Sequence, residues 1–206
     1  MDPNTVDEVV IIGETFDKSK CGAHIEETAP GYPTEDDACA AFDAAAERSG
    51  LFHITKEAPG DMIQPPPWKR PDGALVIDRL LIPRQKLIDA GWKGGAIGVE
   101  IKASGLKVGP PLSQILDYLK CSWVGPQGVR VNLGYCFLFP MQKAGHSTGS
   151  IMAQNHIGSA ILRYAPENEW YRLEFFLGEQ SRLIHYLNQD RTEVKHQHFG
   201  NRVGSR

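Results

Sequence analysis

The chain has 206 residues, with 22 Lys and Arg against 25 Asp and Glu and a formal net charge of −3. Hydrophobic residues make up 41% and charged residues 23%, a globular composition in a chain long enough to bury a core. No apolar run approaches the roughly 20 residues that cross a bilayer, and the acidic start lacks the positive charge of a signal peptide. We therefore expect a cytoplasmic protein with no membrane partner.

The cysteines and histidines predict neither a zinc site nor a disulfide framework. The four cysteines are far apart and form no Cys-x-x-Cys pair: Cys21, Cys39, Cys121 and Cys136. We expect them to be free thiols. The nearest approach to a histidine cluster is His185 with His196 and His198, and its position near the chain end favours a surface location.

The net negative charge argues against a partner that is bound through its phosphates. The charge is unevenly distributed, however, because acids concentrate before residue 50 and basic residues crowd the middle. The middle group is Lys69, Arg70, Arg79, Arg84, Lys86, Lys93, Lys102, Lys107 and Lys120. Whether these residues form one basic face or an ordinary solvated surface stays open at this point.

We predict an N-terminal arm over residues 1–33, a single domain over 34–190 and a basic C-terminal tail over 191–206. The first helix is predicted from Thr34 to Ser49, because Thr34 can cap it and Gly50 can end it. The strands predicted from apolar runs are Leu51–Thr55, Gly73–Pro83, Gly95–Ser104, Tyr135–Phe139 and Ser159–Tyr164. A second helix is predicted over Leu112–Cys121, and Tyr171–Leu187 has no clear assignment.

Charged residues interrupt the apolar strands in the middle of the chain, and Asp78, Glu100 and Lys102 are the ones of interest. Glu100 and Lys102 are two apart, so a strand places them on one face, and Asp78 lies inside the preceding strand. Antiparallel pairing through a connection centred near residue 89 would put Asp78 opposite Glu100. Carboxylates in this arrangement can hold a hard divalent cation. The alternative to a metal site is a half-exposed structural ion pair of Asp78 or Glu100 with Lys102. A second triplet, Glu193-Val194-Lys195, lies in polar sequence and is taken as background.

The order helix, strand, strand with Asp, strand with Glu-x-Lys, helix, strand resembles the αβββαβ core of the PD-(D/E)xK nucleases. Gln114-Ile115-Leu116-Asp117-Tyr118 resembles the Gln-xxx-Tyr motif of the branch that includes RecB-type nuclease domains and some phage exonucleases. The resemblance covers about residues 34–140, with the core motifs in 72–140. It implies an α/β (α+β) restriction-endonuclease-like fold, a mixed central sheet flanked by helices.

The resemblance also implies a metal-dependent nuclease that acts in repair, recombination or phage DNA processing. Asp78 and Glu100 would hold Mg²⁺ or Mn²⁺, with the Ile101 carbonyl as a further ligand, and Lys102 would position or deprotonate water. Gln114 and Tyr118 would support the site. The expected partner is nucleic acid, with DNA favoured; a homo-oligomer or protein partner stays open. The alternative is a module that binds nucleic acid or protein on this fold without cleaving.

Two features depart from the family pattern. The literal Pro-Asp dipeptide is Pro71-Asp72, which fits a turn, so Asp78 is preferred as the metal ligand and Asp72 is the alternative. Family members often carry an additional acid on the first helix. Glu35 or Glu47 could play that part, although a solvent-facing role is favoured for both.

Overall fold

The computed structural model describes residues 31–63, 75–104, 109–140, 146–165, 170–177, 181–188 and 191–194. Its helices are α1 (Glu35–Ser49), α2 (Gln85–Asp89), α3 (Gly109–Tyr118) and α4 (His146–Gln154), with a 3-10 turn at Pro126–Gly128. Its strands are β1 (Phe52–Met62), β2 (Leu75–Pro83), β3 (Ala96–Ile101), β4 (Cys121–Val124), β5 (Arg130–Phe139), β6 (Ile157–Ala165), β7 (Trp170–Leu177), β8 (Ser181–Asn188) and β9 (Arg191–Val194). The predicted α+β class is confirmed.

Helix α1 begins and ends where its sequence signals predict. The Thr34 hydroxyl accepts a hydrogen bond from the Asp37 N–H at 3.1 Å, which satisfies one of the free amides of the first turn. Gly50 ends the helix with a φ of 65°, a left-handed conformation that glycine adopts without steric cost. The apolar face of α1 packs on the sheet through Ala38 and Phe42.

The described strands form one mixed sheet in the order β3-β2-β1-β4-β5-β6-β7-β8-β9. Strand β3 lies between β2, which is antiparallel to it, and β5, which is parallel to it. Because β4 joins β1 to β5, these five strands close into a ring. The pair Arg79↔Val99 is centred on residue 89, which confirms the predicted antiparallel pairing of β2 with β3.

Two hydrophobic clusters form the core. One packs α1 against the sheet, with Phe42, Phe137 and Phe139 at its centre. The other joins α3 to residues of the five-stranded ring, with Tyr118 and Trp123 as its largest members. Successive residues of β3 alternate between the clusters, since Ile97 and Val99 belong to the first and Ala96 to the second. Glu100 lies four residues after Ala96, so the two side chains lie on the same face of β3.

The structure also corrects several predicted boundaries. Strand β1 runs to Met62 rather than ending at Thr55, although Pro59 and Gly60 are poor strand residues. The second helix ends at Tyr118, so Cys121 begins strand β4 instead of ending a helix.

The later segments differ from the sequence-based assignment as well. The connection between β2 and β3 contains the short helix α2. The unassigned stretch 171–187 falls into strands β7 and β8. The start of the predicted basic tail forms strand β9, which pairs with β8. Strand β7 carries an alternating apolar set, Leu173, Phe175 and Leu177, that packs in the first core cluster.

Two further findings concern only the residues that the structure describes. No helix among them combines the length and apolar character needed to cross a membrane. Cys39, Cys121 and Cys136 form no disulfide, as predicted.

A buried ion-pair network fastens helix α1 to the sheet. The Arg79 guanidinium donates to both oxygens of Asp43, at 2.6 and 3.0 Å, and Lys56 Nζ lies 2.7 Å from Asp43 Oδ2. Burial alone would raise the pKa of Asp43, but the hydrogen bonds from Arg79 and Lys56 outweigh it and lower that pKa below its ordinary value of 3.8. The network therefore contributes to stability while Asp43 is ionised.

We expect Asp43→Asn to lower the free energy of unfolding at pH 7 by about 3 kcal/mol, because the buried Arg79 guanidinium loses its carboxylate partner. A lowered folded-state pKa means that this contribution is present above pH 3.8 and is lost as the pH falls through the folded value. The difference between the two proteins should thus shrink in urea unfolding at pH 3.

The matched control is Asp61→Asn. Asp61 pairs with Arg130 at 2.7 Å, but both side chains are more than half exposed, so its loss should change stability by less than about 1 kcal/mol. Equal effects of the two substitutions at pH 7 would contradict the structural role given to Asp43.

Candidate active site

The site forms where the ladder between β2 and β3 ends. Pairing runs from Leu81↔Ile97 to Arg79↔Val99 and stops there, although both strands continue. Beyond that point the Asp78 carboxylate replaces the backbone, since its Oδ2 accepts the Ile101 N–H at 2.6 Å. Continuing the register by one step would put Asp78 opposite Glu100. Each of the two strands therefore carries a carboxylate at the point where their pairing ends.

Lys102 contacts both carboxylates. Its Nζ lies 2.8 Å from Glu100 Oε1 and 4.0 Å from Asp78 Oδ2. Glu100 is only 1% exposed, whereas the Lys102 side chain keeps 19% of its surface. Lys102 follows the last residue of β3, but its N–H still donates to the Phe139 carbonyl of β5 at 2.8 Å. The backbone next to the ammonium is therefore hydrogen-bonded on both sides, to β5 through the Lys102 N–H and to Asp78 of β2 through the Ile101 N–H.

Helix α3 brings Gln114 and Tyr118 to the same place. The Tyr118 hydroxyl lies 2.9 Å from Glu100 Oε2 and 2.8 Å from the Val76 carbonyl, and the Gln114 amide donates to it. A hydroxyl has one proton, so Tyr118 can donate to either Glu100 or Val76 at one time. Edge contact with Trp123, at a ring separation of 5.1 Å, fixes the phenol.

The first helix supplies one further acid. Glu35, in the first turn of α1, has its Oε1 3.5 Å from Lys102 Nζ, while 53% of its side chain stays exposed. Its predicted solvent-facing position thus holds only in part, because one end of the side chain reaches the site. Glu47 is exposed near the other end of α1.

Burial dominates the electrostatics of the two carboxyl groups. It raises the pKa of Asp78 above its ordinary value, against the lowering effects of the Ile101 N–H and the Lys102 charge. Burial and then repulsion from Asp78 raise the pKa of Glu100. Burial alone would lower the pKa of Lys102, but Glu100 and the other nearby carboxylates raise it. Lys102 is therefore an ammonium at neutral pH.

The net charge of the site has the sign that a divalent cation would neutralise. Three carboxylates, from Glu35, Asp78 and Glu100, face one ammonium, which leaves a formal charge of −2 when all are ionised. Within the described part of the chain, no group of three or more His, Cys, Asp or Glu side chains is close enough to hold a metal. Mg²⁺ is usually bound through one or two carboxylates and keeps several of its waters. Two carboxylates completed by waters would therefore suit Mg²⁺ or Mn²⁺.

Most residues singled out from the sequence meet at this site, and some cannot be compared. Asp78, Glu100, Ile101, Lys102, Gln114 and Tyr118 come together. Asp72 and Lys195 lie outside the described residues, as do His196, His198 and the side chain of His185. Glu193 belongs to β9, at the other end of the sheet order from β3.

Sequence reasoning missed the Asp43–Arg79 pair and the Val76 carbonyl. The only signal for the pair was a second charge, Arg79, inside an apolar strand next to Asp78. A backbone carbonyl such as that of Val76 has no signal in the sequence, because every residue carries one.

We expect Asp78→Asn to raise the free energy of unfolding at pH 7 by about 1 kcal/mol, since it removes a repulsive charge and keeps an oxygen for the Ile101 N–H. A raised folded-state pKa means that wild-type stability rises as the pH falls through that pKa, which lies above 3.8. The gain of the variant should therefore shrink as the pH is lowered.

Denaturant unfolding of both proteins across this pH range measures the effect. The control, Asp89→Asn, alters an exposed acid on α2 and should change stability by no more than about 0.5 kcal/mol. A loss of stability in Asp78→Asn at pH 7 would show that the carboxylate stabilises the fold, contrary to this description of the site.

Comparison with known proteins adds no assignment: no family model, no curated protein and no solved structure matches this chain. The geometry of the residues around Asp78 and Glu100 is therefore what a functional proposal has to be built on.

Proposed function

We propose that this protein is a metal-dependent nuclease of the PD-(D/E)xK type, which hydrolyses phosphodiester bonds in nucleic acid, with DNA favoured. The observation that carries the proposal is the meeting of Asp78, Glu100 and Lys102 where the β2–β3 ladder ends. On α3, the Tyr118 hydroxyl contacts the Glu100 carboxylate, and the Gln114 amide donates to that hydroxyl. A structural ion pair would need only Glu100 and Lys102, and it gives no reason for the additional carboxylates.

The order of elements supports the same proposal. Helix α1 precedes the meander β1, β2 and β3, and α3 leads to β5, which lies parallel to β3. This order is compatible with the αβββαβ core of the proposed family if α2 and β4 are insertions.

Asp78 and Glu100 would hold Mg²⁺ or Mn²⁺, with the Ile101 carbonyl as a further ligand. A cation bound there would supply the activation of water and the neutralisation of phosphate charge that phosphodiester hydrolysis requires. A positive charge at this point would also favour the ionised forms of two carboxyl groups whose pKa burial has raised.

Lys102 has the role of a positioned cation. Its raised pKa keeps it protonated at neutral pH, so it donates hydrogen bonds to the attacking water or to a phosphate oxygen rather than accepting a proton. Tyr118 and Gln114 orient Glu100 through the contact with Oε2. Glu35, at the exposed mouth of the site, reaches Lys102 from the solvent side.

The experiment is a cleavage assay on linear, circular, single-stranded and branched DNA and on RNA, with Mg²⁺ and then Mn²⁺. Glu100→Gln and Lys102→Met should each reduce the rate at least about 100-fold, because each removes a charge that acts in the transition state. The double variant should be little worse than either single one, since the residues act as a unit.

Glu193→Gln is the matched control, because it makes the same change in the second Glu-x-Lys triplet, and it should cleave like the wild type. Cleavage that survives both site substitutions would contradict the proposal. So would folded wild-type protein that cleaves no substrate with either metal; if it still bound nucleic acid, the non-cleaving binding module would be the better description.

A further inference from the structure

The ladder between β1 and β2 is interrupted at one residue, Glu57. Pairing is regular at Lys56↔Arg79 and resumes in the same register at Ala58↔Ile77, so no residue is inserted as it would be in a bulge. Glu57 has a φ of 48°, in the left-handed region that residues with a Cβ rarely adopt. The register would place it opposite Asp78.

Asp78 is thus the point at which β2 lacks a ladder partner on both sides. On the β1 side Glu57 is skipped, and on the β3 side the described pairing has already ended at Arg79. The strand is therefore locally free of the two neighbours that would otherwise fix its pleat. This freedom coincides with the bond of the Asp78 carboxylate to the Ile101 N–H.

The interruption is held in place from the α1 side of the sheet. The Arg79 Nη1 donates to the carbonyl of Asp78 at 2.6 Å, while the same guanidinium binds both oxygens of Asp43. Lys56, the neighbour of Glu57, binds the same Asp43 carboxylate. One network therefore holds the residues next to the interruption on both strands.

The Glu57 side chain is exposed, so burial of that side chain does not explain its backbone conformation. Pro59 is exposed and two residues away, and Ala58 between them is regularly paired, so the proline does not account for it either. Left-handed residues with a Cβ persist where the surrounding structure enforces them, and they cluster at functional sites.

We propose that the left-handed backbone of Glu57 is a positioning feature that releases Asp78 from the sheet and directs its carboxylate towards Ile101 and Lys102. The consequence for catalysis rests on the proposed nuclease function, whereas the consequence for the Asp78 carboxylate does not. The backbone of residue 57 matters in this account, and its side chain does not.

Substitutions at residue 57 separate backbone from side chain. Glycine accepts a positive φ without cost, whereas valine disfavours it strongly. Glu57→Gly should keep the hydrogen exchange of the Ile101 amide and the cleavage rate within about twofold of wild type. Glu57→Val should speed that exchange and, by displacing Asp78, lower the cleavage rate by about tenfold to a hundredfold. His53→Val, at an exposed position of the same strand, should change neither.

Hydrogen exchange of the Ile101 amide, followed by NMR, tests the positioning even if the wild type cleaves nothing, so the two proposals can fail separately. Folded Glu57→Val with wild-type exchange would overturn the inference. So would Glu57→Gly that is impaired as much as Glu57→Val, because the side chain would then be what matters. If Glu57→Val does not fold, Arg79→Lys, which cannot hold Asp43 and the Asp78 carbonyl together, should speed Ile101 exchange; unchanged exchange in that variant would equally overturn it.

Discussion

The hydrogen bond from the Ile101 N–H to the Asp78 carboxylate marks the place where two antiparallel strands stop pairing. A side chain takes the position of a backbone acceptor there, so the strands stay attached while their ends become available for chemistry. Glu100 at the end of β3 and Lys102 just after it lie next to this bond, and Tyr118 of α3 contacts Glu100. The position of the Asp78 carboxylate in the candidate site follows from this change from backbone to side-chain pairing.

Two unfavourably placed carboxyl groups, Asp78 and Glu100, lie next to a favourable buried ion pair, Asp43 with Arg79. Burial raises the pKa of Asp78 and of Glu100, which makes two ionised carboxylates unfavourable beside each other. One residue further along β2, Arg79 is held by both oxygens of Asp43, whose pKa is lowered. Strain and repulsion at a functional site that are offset by the surrounding structure are expected of proteins in general.

The sequence predicts the parts of this structure that depend on local signals. Thr34 and Gly50 predict the ends of α1, and the position of the connection predicts the register of β2 with β3. The same reasoning misses β1 beyond Thr55, because Glu57, Pro59 and Gly60 are unfavourable strand residues whose conformation is imposed by neighbouring elements. It also favours solvent for Glu35, since nothing local predicts a contact with Lys102 on a distant strand.

Titration with Mn²⁺, followed by paramagnetic broadening of NMR signals, tests most directly whether these residues form a cation site. We expect broadening centred on Asp78, Glu100 and Ile101, and we expect it to be lost in Glu100→Gln protein that remains folded. Broadening that is absent from these residues, or that is centred elsewhere and unchanged by Glu100→Gln, would show that Asp78 and Glu100 do not form a cation site.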